Sequence, residues 1–576
     1  MNKMVLDLLN ILSKKEYKNQ RELVVDSGYS LGTVNQSLNT LKEEGLVDHL
    51  QLTEKGTLLL EKCRPERAVI LAAGMGMRMI PINSETPKAL VEVNGQPLIE
   101  RMIQQLHEVN IHEIYIVVGF MKESFEYLMD EYGVELVVNM EYVHKNNLHS
   151  LALTKKHLNH CYVIPGDMYC ENNPFRTHEM YSWYMVSDEI SKKSCVRVNR
   201  KQELVLSDKG GNRMIGISYI HEENGLLKRL AKMDADERYD NAFWEDALYV
   251  EDRMCVYGRV VSSATVTEID TYEQLREWDS QSSQLKGDAI LVASQALHAE
   301  PDDIVNVEVL KKGMTNRSFM FTCREQKYIM RIPGEGTGQL INRKQEADVY
   351  SVIHDKGLCD DIIYINPENG YKITKYIDNA RVCDPFNEED VKKCMKKLKE
   401  FHQMHLSVDH EFKIFDLIDF YESLWNGQKS IYRDYEKTKE NVLSLQSYIN
   451  SIEKEYCLTH IDAVPDNFLI TDRDIRLIDW EYAGMQDPHV DLAMFCIYAM
   501  YDREHVEKLI DAYFDGDCSK ENRIKIYCYI AACGLLWSNW CEYKLHLGVE
   551  FGEYSLRQYR FGKEYYRIAK EEMEKL

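Results

Sequence analysis

The sequence predicts a multidomain protein in which an α/β domain and an α+β domain follow a small helical domain. Its 576 residues exceed the size of one ordinary domain. Apolar, strand-like runs alternate with helical patterns between residues 66 and 280, which is typical of a parallel sheet covered by helices. From residue 289 onward, strand-like runs come first and helical patterns follow. We therefore expect three domains, at residues 1–64, 66–280 and 289–576.

The first of these segments has the pattern of a winged helix-turn-helix domain. Apolar residues recur at helical spacing near its start, and a second short helix is expected at Gln20–Asp26. Ser30 can cap a third helix, and Gly45 can end it. The residues after Gly45 can form a small wing before a last helix at Thr57–Lys62. The buried stripe of the third helix would consist of Leu31, Val34, Leu38 and Leu41.

The third helix of such a domain enters the major groove of DNA. Its outer face would carry side chains able to contact base edges, namely Thr33, Asn35, Gln36 and Asn39. Acidic and basic residues roughly balance over residues 1–64, so the electrostatic signature of a DNA-binding domain is weak. DNA and a protein both stay open as the partner of this domain.

Composition and charge exclude several classes of protein. The formal net charge of -24 argues against a general nucleic-acid binder. The 15 cysteines are odd in number and include no C-x-x-C pair, which argues against a disulfide framework or a zinc ribbon. The N-terminus lacks the features of a secretion signal, and no apolar run reaches the roughly 18 residues that a membrane span needs. We expect a cytoplasmic protein without a membrane partner.

A glycine loop follows the first predicted strand of the α/β segment. Its backbone N–H groups could bind a phosphate chain, and cations lie close behind it in the sequence. Ligands of parallel sheets bind beyond the carboxyl ends of the strands, so a nucleoside triphosphate is expected at this loop. Taken alone, the loop would more simply be a tight turn with two surface cations. The residues concerned are Ala73, Gly74, Gly76, Arg78 and Lys88.

The whole string VILAAGMGMRMIPINSETPKALVEVNGQPLIE resembles the signature of sugar-phosphate and choline-phosphate nucleotidyltransferases. Further along, NNLHSL, FWEDAL and EIDTYEQLREW look like segments of bacterial CTP:phosphocholine cytidylyltransferases. This resemblance implies a Rossmann-like, GT-A-like nucleotidyltransferase domain. Such a domain would transfer CMP from CTP to phosphocholine and release diphosphate.

The resemblance also implies a pair of carboxylates that hold Mg²⁺. Asp167 ends the apolar run YVIPGD, where the family places its first ligand. Glu245 falls where the family usually has an aspartate as the second ligand, and the adjacent Asp246 is the alternative. Aromatic faces suit the quaternary ammonium of phosphocholine, and the candidates are Trp244 and Tyr219, with Trp183 as a further possibility. Each of these rings is equally expected as part of the core.

A second motif, HIDAVPDN at His460–Asn467, is followed by LIDWEYAG. An aspartate, an asparagine five positions later and a strand-ending aspartate are the parts of a kinase active site. The pattern resembles the choline kinase and aminoglycoside phosphotransferase families, which have a two-lobed, protein-kinase-like fold and use ATP. It implies that Asp462 is the catalytic base and that Asn467 and Asp479 are Mg²⁺ ligands.

The strands before this motif resemble the nucleotide-binding lobe of the same families. Leu310–Phe321 looks like the hairpin that covers the phosphates. Arg331 stands where protein kinases have their strand lysine, and Glu346 could pair with it. The positions expected near the nucleotide are Gly313, Asn316 and Ser318.

Aromatic residues indicate the substrate of the predicted kinase. Glu481 and Tyr482 follow Asp479, while Trp537 and Trp540 lie on one face of one helix. This arrangement resembles the choline cage of choline kinases, in which rings attract a trimethylammonium group by cation–π interaction. The default role of such a tryptophan pair is core packing, but its coincidence with Glu481 and Tyr482 favours a cage.

The two predicted enzymes constrain each other, because the product of the kinase is the acceptor of the transferase. The sequence therefore predicts that ATP and choline give phosphocholine, and that CTP and phosphocholine then give CDP-choline. One alternative keeps both reactions but uses ethanolamine or another amino alcohol. Another is a winged-helix transcriptional regulator whose enzyme-like domains sense ligands.

Overall fold

The computed structural model describes residues 1–221, 225–312, 316–333, 341–547 and 549–576, without the side chains of Lys311, Lys312 and Asn316. Within these residues the chain forms two compact units. The first consists of Met1–Leu291 with Val307–Val309, and the second of Val292–Asn306 with Leu310–Leu576. None of the helices in the described ranges is long and apolar enough to cross a membrane.

The first unit begins with the predicted winged helix-turn-helix. Ser30 caps the third helix, since its hydroxyl accepts a hydrogen bond from the Thr33 N–H at 3.2 Å. Leu31 is 48% exposed, so the buried stripe of this helix starts at Val34 rather than at its first residue. The helices are Lys3–Leu12, Gln20–Ser27, Leu31–Glu43 and Glu54–Lys62, and the wing strands are Val47–Asp48 and Gln51–Leu52.

The winged helix packs against the rest of the first unit through its first helix. The Tyr181 hydroxyl donates a 2.6 Å hydrogen bond to Asp7 Oδ1. The other oxygen of Asp7 accepts hydrogen bonds from the Tyr29 hydroxyl and, at 2.7 Å, from Lys3 Nζ. Met180 lies in the apolar core of the winged helix. One carboxylate thus links the turn before the third helix to the neighbouring sheet.

That sheet is mixed: one half is parallel, and the other half combines antiparallel pairs with one parallel pair, between Trp183–Ser191 and Arg253–Val261. In spatial order its strands are Val196–Val198, Glu203–Leu206, Arg253–Val261, Trp183–Ser191, Gly211–Ile220, Cys161–Pro165, Arg67–Ala72, Glu113–Val118 and Glu135–Val138. The last four are parallel to one another, as the alternation of apolar runs and helical patterns predicts. The α-helices associated with this sheet are Leu98–Glu108, Tyr127–Tyr132, Asn147–Leu153, Leu226–Asp234 and Tyr272–Trp278.

Short strand pairs complete this unit. Tyr249–Val250 pairs with Arg253–Val261, and Glu92–Val93 pairs with Gln96–Pro97. The pair that matters for function joins Val266–Glu268 to Met168–Cys170, with Glu268 opposite Met168. It brings the segment before the last helix of the unit to the carboxyl end of the central strand Cys161–Pro165.

The second unit has its strands first and its helices later, as predicted for an α+β domain. In spatial order the sheet strands are Val305–Lys312, Asn316–Cys323, Gln326–Pro333, Lys372–Lys375 and Ile362–Ile365. Smaller sheets are formed by Arg381–Val382, Phe468–Ile470 and Ile475–Leu477, and by Cys457–Thr459 and Gly484–Gln486. The α-helices after the first strand are Arg343–Ile353, Glu388–His402, Ile414–Ser423, Tyr435–Ser444, Gln446–Ser451, His489–Tyr498, Arg503–Phe514, Lys520–His546 and Glu553–Met573.

The helix Lys520–His546 is buried on nearly all sides along its central part. A helix that is apolar all round belongs in a core, and this one packs against helices on several sides. It therefore holds Trp537 and Trp540 at a fixed position in the interior of the second unit.

Candidate active sites

Three carboxylates meet at the carboxyl end of the parallel strands in the first unit. Oxygens of Asp167, Glu268 and Asp270 all lie within 4.8 Å of one another, the one such acidic cluster in the described part of the chain. The strand pair described above causes this meeting, because the Ile269 N–H donates to the Asp167 carbonyl oxygen at 3.0 Å. Carboxylate oxygens are the donors that Mg²⁺ prefers, so the cluster fits a divalent cation.

Lys88 lies at the centre of these carboxylates. Its Nζ is 2.6 Å from Asp270 and 3.5 Å from Glu268, and it also contacts Asp167. Burial favours the neutral amine, but the carboxylates outweigh burial and hold the pKa of Lys88 above its usual range. Lys88 is therefore a cation at neutral pH.

The glycine loop and Arg78 lie beside this lysine. Gly76 has a φ of +59°, and a Cβ at that position would come within 3.0 Å of the Lys88 Cβ. Only glycine suits both the backbone conformation and this close approach. Ala73 is buried, Gly74 is exposed, and the half-exposed Arg78 forms an ion pair with Asp270. The structure thus brings the predicted loop and both predicted cations to one place.

Glu245 and Asp246 are not among the three clustered carboxylates, and the prediction that one of them is the second metal ligand stays a prediction. The Glu245 carboxyl is buried and accepts a 2.9 Å hydrogen bond from the Tyr184 hydroxyl. Burial raises the pKa of Glu245 to about 7. Asp246 accepts from the Phe243 N–H at 3.2 Å and so caps its own short helix.

Sequence reasoning missed Glu268 and Asp270 as partners of Asp167. The signal available was the acidic pair in EID, at the start of the string EIDTYEQLREW. The spacing alone does not show that this pair reaches Asp167, because the contact depends on strand pairing across about a hundred residues.

The predicted aromatic residues of the first unit lie in two different apolar clusters. Trp244 is fully buried in one of these clusters, and its ring centroid is 6.0 Å from that of Tyr184. Tyr219 instead pairs with Tyr162 and Trp183. Tyr162 is the second residue of its strand, which places Tyr219 near the amino ends of the parallel strands. Tyr219 and Trp183 are both buried in the sheet, and the prediction that they contact the substrate stays a prediction.

In the second unit, Asp462, Asn467 and Asp479 lie around one loop. Asn467 Nδ2 donates to Asp462 Oδ2 at 3.0 Å and to the Asp462 carbonyl oxygen at 2.8 Å. The Ile478 N–H donates to the Asn467 carbonyl oxygen at 3.0 Å, which puts Asp479 next to Asn467. Asp479 has a φ of +67°, an uncommon conformation for an aspartate that is characteristic of functional sites.

Buried polar groups hold this loop from behind. Asp491 accepts hydrogen bonds from the backbone N–H groups of His460 and Ile461, at 3.0 and 2.6 Å. His402 Nε2 lies 2.9 Å from the same carboxylate. The His460 Nε2 is 3.0 Å from the Ile478 carbonyl oxygen, so this side chain braces the loop.

The nucleotide-binding lobe contains the predicted Arg331–Glu346 pair. Both guanidinium nitrogens of Arg331 bond to the Glu346 carboxylate, at 2.6 and 2.7 Å. Burial opposes the charge on Glu346, but Lys372 and Arg331 outweigh it and lower the pKa of Glu346 to about 2. Ser318 lies directly opposite Arg331 in the strand pair and therefore on the same face of the sheet.

Two other predicted nucleotide-binding positions are Gly313 and Asn316. Gly313 lies outside the described residues. The backbone of Asn316 pairs with Pro333 at the start of its strand.

Glu481 lies in a cluster of charges. Its carboxylate is 3.4 Å from Arg343 and 3.6 Å from Arg331, and its side chain is largely buried. Burial, followed by the nearby charge of Asp479, raises the pKa of Glu481 to about 7. Its predicted role in contacting the substrate is not evident from these contacts and stays a prediction.

The predicted aromatic residues of the second unit do come together. The ring centroid of Trp537 is 5.7 Å from that of Tyr482 and 6.2 Å from that of Trp540. Burial raises the pKa of Tyr482, and the nearby groups Tyr421, Glu481 and Asp462 add to this shift in that order. Tyr482 connects the cluster to the segment of Asp479, which lies three residues before it.

Sequence reasoning missed three further rings of this cluster. Tyr421 lies 6.4 Å from Trp537, and Phe551 lies 5.2 Å from Trp540. Tyr554 is 6.4 Å from Phe551, and the charge of Asp462 contributes to its raised pKa after burial. Tyr421 lies in the helix Ile414–Ser423, Phe551 lies just before the helix Glu553–Met573, and Tyr554 lies in that helix. No spacing in the sequence connects them with Trp537 and Trp540.

Family models match three parts of the chain. A winged helix-turn-helix DNA-binding model matches residues 1–48, a MobA-like NTP transferase domain model matches residues 68–177, and a choline/ethanolamine kinase model matches residues 307–531. Their order along the chain and the kinds of domain that they describe agree with the three predicted domains.

Individual relatives cover the two enzymatic parts. A choline-phosphate cytidylyltransferase of Streptococcus pneumoniae is 34% identical over 224 residues, which span 37% of this chain and 96% of that protein. Protein LicA of Haemophilus influenzae is 28% identical over 263 residues, or 42% of this chain and 96% of that protein. The crystal structure of choline kinase LicA from Streptococcus pneumoniae has 28% identity, covers 48% of this chain and 97% of that chain, and gives a TM-score of 0.43.

One relative aligns with each enzymatic part over nearly the full length of that relative. The chain belongs to the choline-phosphate cytidylyltransferase family and joins such a domain to a winged helix-turn-helix domain and a choline/ethanolamine kinase domain.

Proposed function

We propose that this chain makes CDP-choline in two steps, with one active site in each unit. The kinase domain phosphorylates choline with ATP, and the cytidylyltransferase domain transfers CMP from CTP to the phosphocholine and releases diphosphate. The observation that carries this proposal is the occurrence, in one chain, of a kinase and the transferase that would use its product. We propose the domain bounds 1–64, 66–280 and 289–576.

In the kinase domain we assign Asp462 as the base that accepts the proton of the choline hydroxyl. Its hydrogen bond to Asn467 Nδ2 fixes the carboxylate. Asn467 and Asp479 would hold Mg²⁺, which neutralises the charge of the phosphates when it is bound. Arg331, anchored by Glu346, would contact the phosphates from the strand opposite Ser318.

Aromatic rings explain the preference of the kinase for choline. A trimethylammonium group cannot donate hydrogen bonds and is attracted by ring faces in a site that excludes water. Tyr482, Trp537 and Trp540 provide such faces next to Asp462, and Trp537 is only 7% exposed. The hydroxyl of a choline held there would lie toward the base.

In the transferase domain, the phosphocholine oxygen attacks the α-phosphorus of CTP and diphosphate leaves. The N–H groups of Gly74 and Gly76 would bind the phosphate chain, with Lys88 and Arg78 neutralising developing charge. Asp167, Glu268 and Asp270 would hold Mg²⁺ on the triphosphate. Trp244 remains our candidate for the aromatic wall of the phosphocholine pocket.

Two substitutions test these assignments against each other in the full-length protein. With choline, ATP, CTP and Mg²⁺, Asp462→Asn should form no phosphocholine but should still convert supplied phosphocholine to CDP-choline. Asp167→Asn should do the reverse and accumulate phosphocholine. Products are measured by mass spectrometry, with ethanolamine offered in parallel. Retained choline phosphorylation in Asp462→Asn would contradict the base assignment, and faster turnover of ethanolamine than of choline would contradict the substrate.

The partner of the winged helix domain is DNA or a protein. Gln36 and Asn39 are exposed on the third helix, which favours contact with base edges. The balanced charge of residues 1–64 favours a protein. An electrophoretic mobility shift with the DNA upstream of the protein's own coding sequence separates the two: salt-sensitive, sequence-dependent binding indicates DNA.

A further inference from the structure

We propose that Arg343 is a positioning residue of the kinase site, which neutralises Glu346 and Glu481 and thereby keeps the Asp479 carboxylate available to the Mg²⁺–ATP complex. The inference rests on the proposed kinase function. Arg343 belongs neither to the catalytic loop nor to the strand that carries Arg331. It acts through the two carboxylates that it contacts.

Arg343 bridges two carboxylates that come from distant parts of the chain. It is the first residue of the helix Arg343–Ile353, next to the cap residue Asn342. Its Nη1 lies 3.0 Å from Glu346 Oε2 and 3.4 Å from Glu481 Oε2. The side chain is only 10% exposed, so water screens these interactions weakly.

A glycine makes room for this arginine. Gly370 has a φ of +72°, and a Cβ there would come within 3.1 Å of Arg343 Nε and 2.6 Å of a Pro333 side-chain carbon. The Gly370 carbonyl oxygen also accepts a 3.4 Å hydrogen bond from Arg331 Nη2. Both guanidinium groups therefore lie against the same short stretch of backbone, which fixes them relative to each other.

The charges explain why a second arginine is needed. Nη1 of Arg331 faces three carboxylates, since it lies 2.6 Å from Glu346, 3.6 Å from Glu481 and 3.9 Å from Asp479. Lys372 is 3.7 Å from Glu346 and assists at that carboxylate. Glu481 relies on Arg331 and Arg343 among the ion pairs of the described residues.

Without Arg343, Arg331 would have to balance Glu481 and Asp479 as well as Glu346. An uncompensated buried carboxylate is costly, so the guanidinium of Arg331 would be drawn toward Glu481 and Asp479. It would then compete with the metal for Asp479. The aromatic cluster would be unaffected, because its rings carry no charge and are held by other helices.

The test uses the full-length protein and three variants: Arg343→Met, Arg343→Lys and, as a matched control, Lys344→Met at the exposed neighbouring position. Binding of AMP-PNP, a non-hydrolysable ATP analogue, is measured by titration calorimetry with Mg²⁺ and with excess EDTA. Arg343→Met should weaken binding with Mg²⁺ about tenfold, the effect of losing a buried charge-assisted contact, and leave metal-free binding within about twofold. Arg343→Lys should recover part of the loss, and Lys344→Met should match the unmodified protein.

Steady-state kinetics supply the second readout. The KM for Mg²⁺–ATP should rise in Arg343→Met, whereas the KM for choline should stay within about twofold. Unchanged Mg²⁺-dependent binding in Arg343→Met would overturn the inference. Equal weakening of Mg²⁺-dependent and metal-free binding would also overturn it, by showing a merely structural role. If the unmodified protein does not phosphorylate choline, the proposed function fails instead. Metal-free AMP-PNP binding in the same samples reports that the kinase domain is folded.

Discussion

The aromatic cluster beside Asp462 gives the most discriminating prediction for this protein. Trp540 is the ring to change, because it is partly exposed while Trp537 and Tyr421 are buried in the core. Replacing Trp540 by leucine keeps an apolar side chain in place and removes the ring face. Folding should be preserved, since the helix Lys520–His546 is held along most of its length by other buried residues.

The size of the effect follows from the surroundings of the rings. A cation–π contact contributes about 0.5–1 kcal/mol at an exposed site and about 2 kcal/mol when water is excluded. Tyr421 is 2% exposed and Trp537 7%, so the bound cation would be largely shielded from water. Loss of about 1–2 kcal/mol corresponds to a rise of about 5- to 30-fold in the KM for choline. Ethanolamine, whose primary ammonium depends on hydrogen bonds, should lose less.

The assay compares kcat and KM for choline and ethanolamine in Trp540→Leu and in Tyr456→Leu. Tyr456 is a half-exposed aromatic residue of the same unit without a ring contact to the cluster among the described residues. We expect Trp540→Leu to reduce the preference for choline, with the KM for ATP unchanged, and Tyr456→Leu to have no effect. An unchanged ratio of choline to ethanolamine kcat/KM in Trp540→Leu would refute the cage.

Three further predictions concern other parts of the molecule. Asp270→Asn should lower cytidylyltransferase activity by at least about 100-fold and Glu245→Gln by less than about tenfold, because only Asp270 lies in the acidic cluster. A larger loss in Glu245→Gln would support Glu245 as the second metal ligand. Asp7→Asn weakens the bonds to Tyr181 and Tyr29 and should loosen residues 1–64 by about 1–2 kcal/mol, seen as faster amide hydrogen exchange there with normal enzymatic activity. The pKa of Glu346 is about 2 in the fold against 4.5 ordinarily, so its ionised form should add about 3 kcal/mol to the free energy of unfolding at neutral pH, and this contribution is lost as the pH falls from about 4.5 through 2. The free energy of unfolding of Glu346→Gln should therefore differ less from that of the unmodified protein at pH 3 than at pH 7.

Much of the fold and part of both sites could be predicted from the sequence because the relevant signals are local. The strand Arg67–Ala72 and its glycine loop form one continuous string, and the pairing of Gly76 with Lys88 spans only twelve residues. The spacing of Asp462, Asn467 and Asp479 likewise reflects one short hairpin, Phe468–Ile470 with Ile475–Leu477, which follows the first two residues and precedes the third. Trp537 and Trp540 share a helical face because of their spacing alone, independently of tertiary contacts.

Tertiary structure alone decided which distant groups meet. Asp167 gains Glu268 and Asp270 through a strand pair with no counterpart in sequence spacing, and Glu245 turns toward Tyr184 instead. Antiparallel register sets Tyr219 opposite Tyr162, near the amino end of the strand Cys161–Pro165. Hydrophobic periodicity specifies which face of an element is buried, but the partner of that face depends on packing between elements far apart in the chain. For this reason the sequence determined the kinds of domain and the chemistry of their loops, while the fold decided which carboxylates meet Asp167, which rings join the aromatic cluster and how Arg343 reaches Glu481.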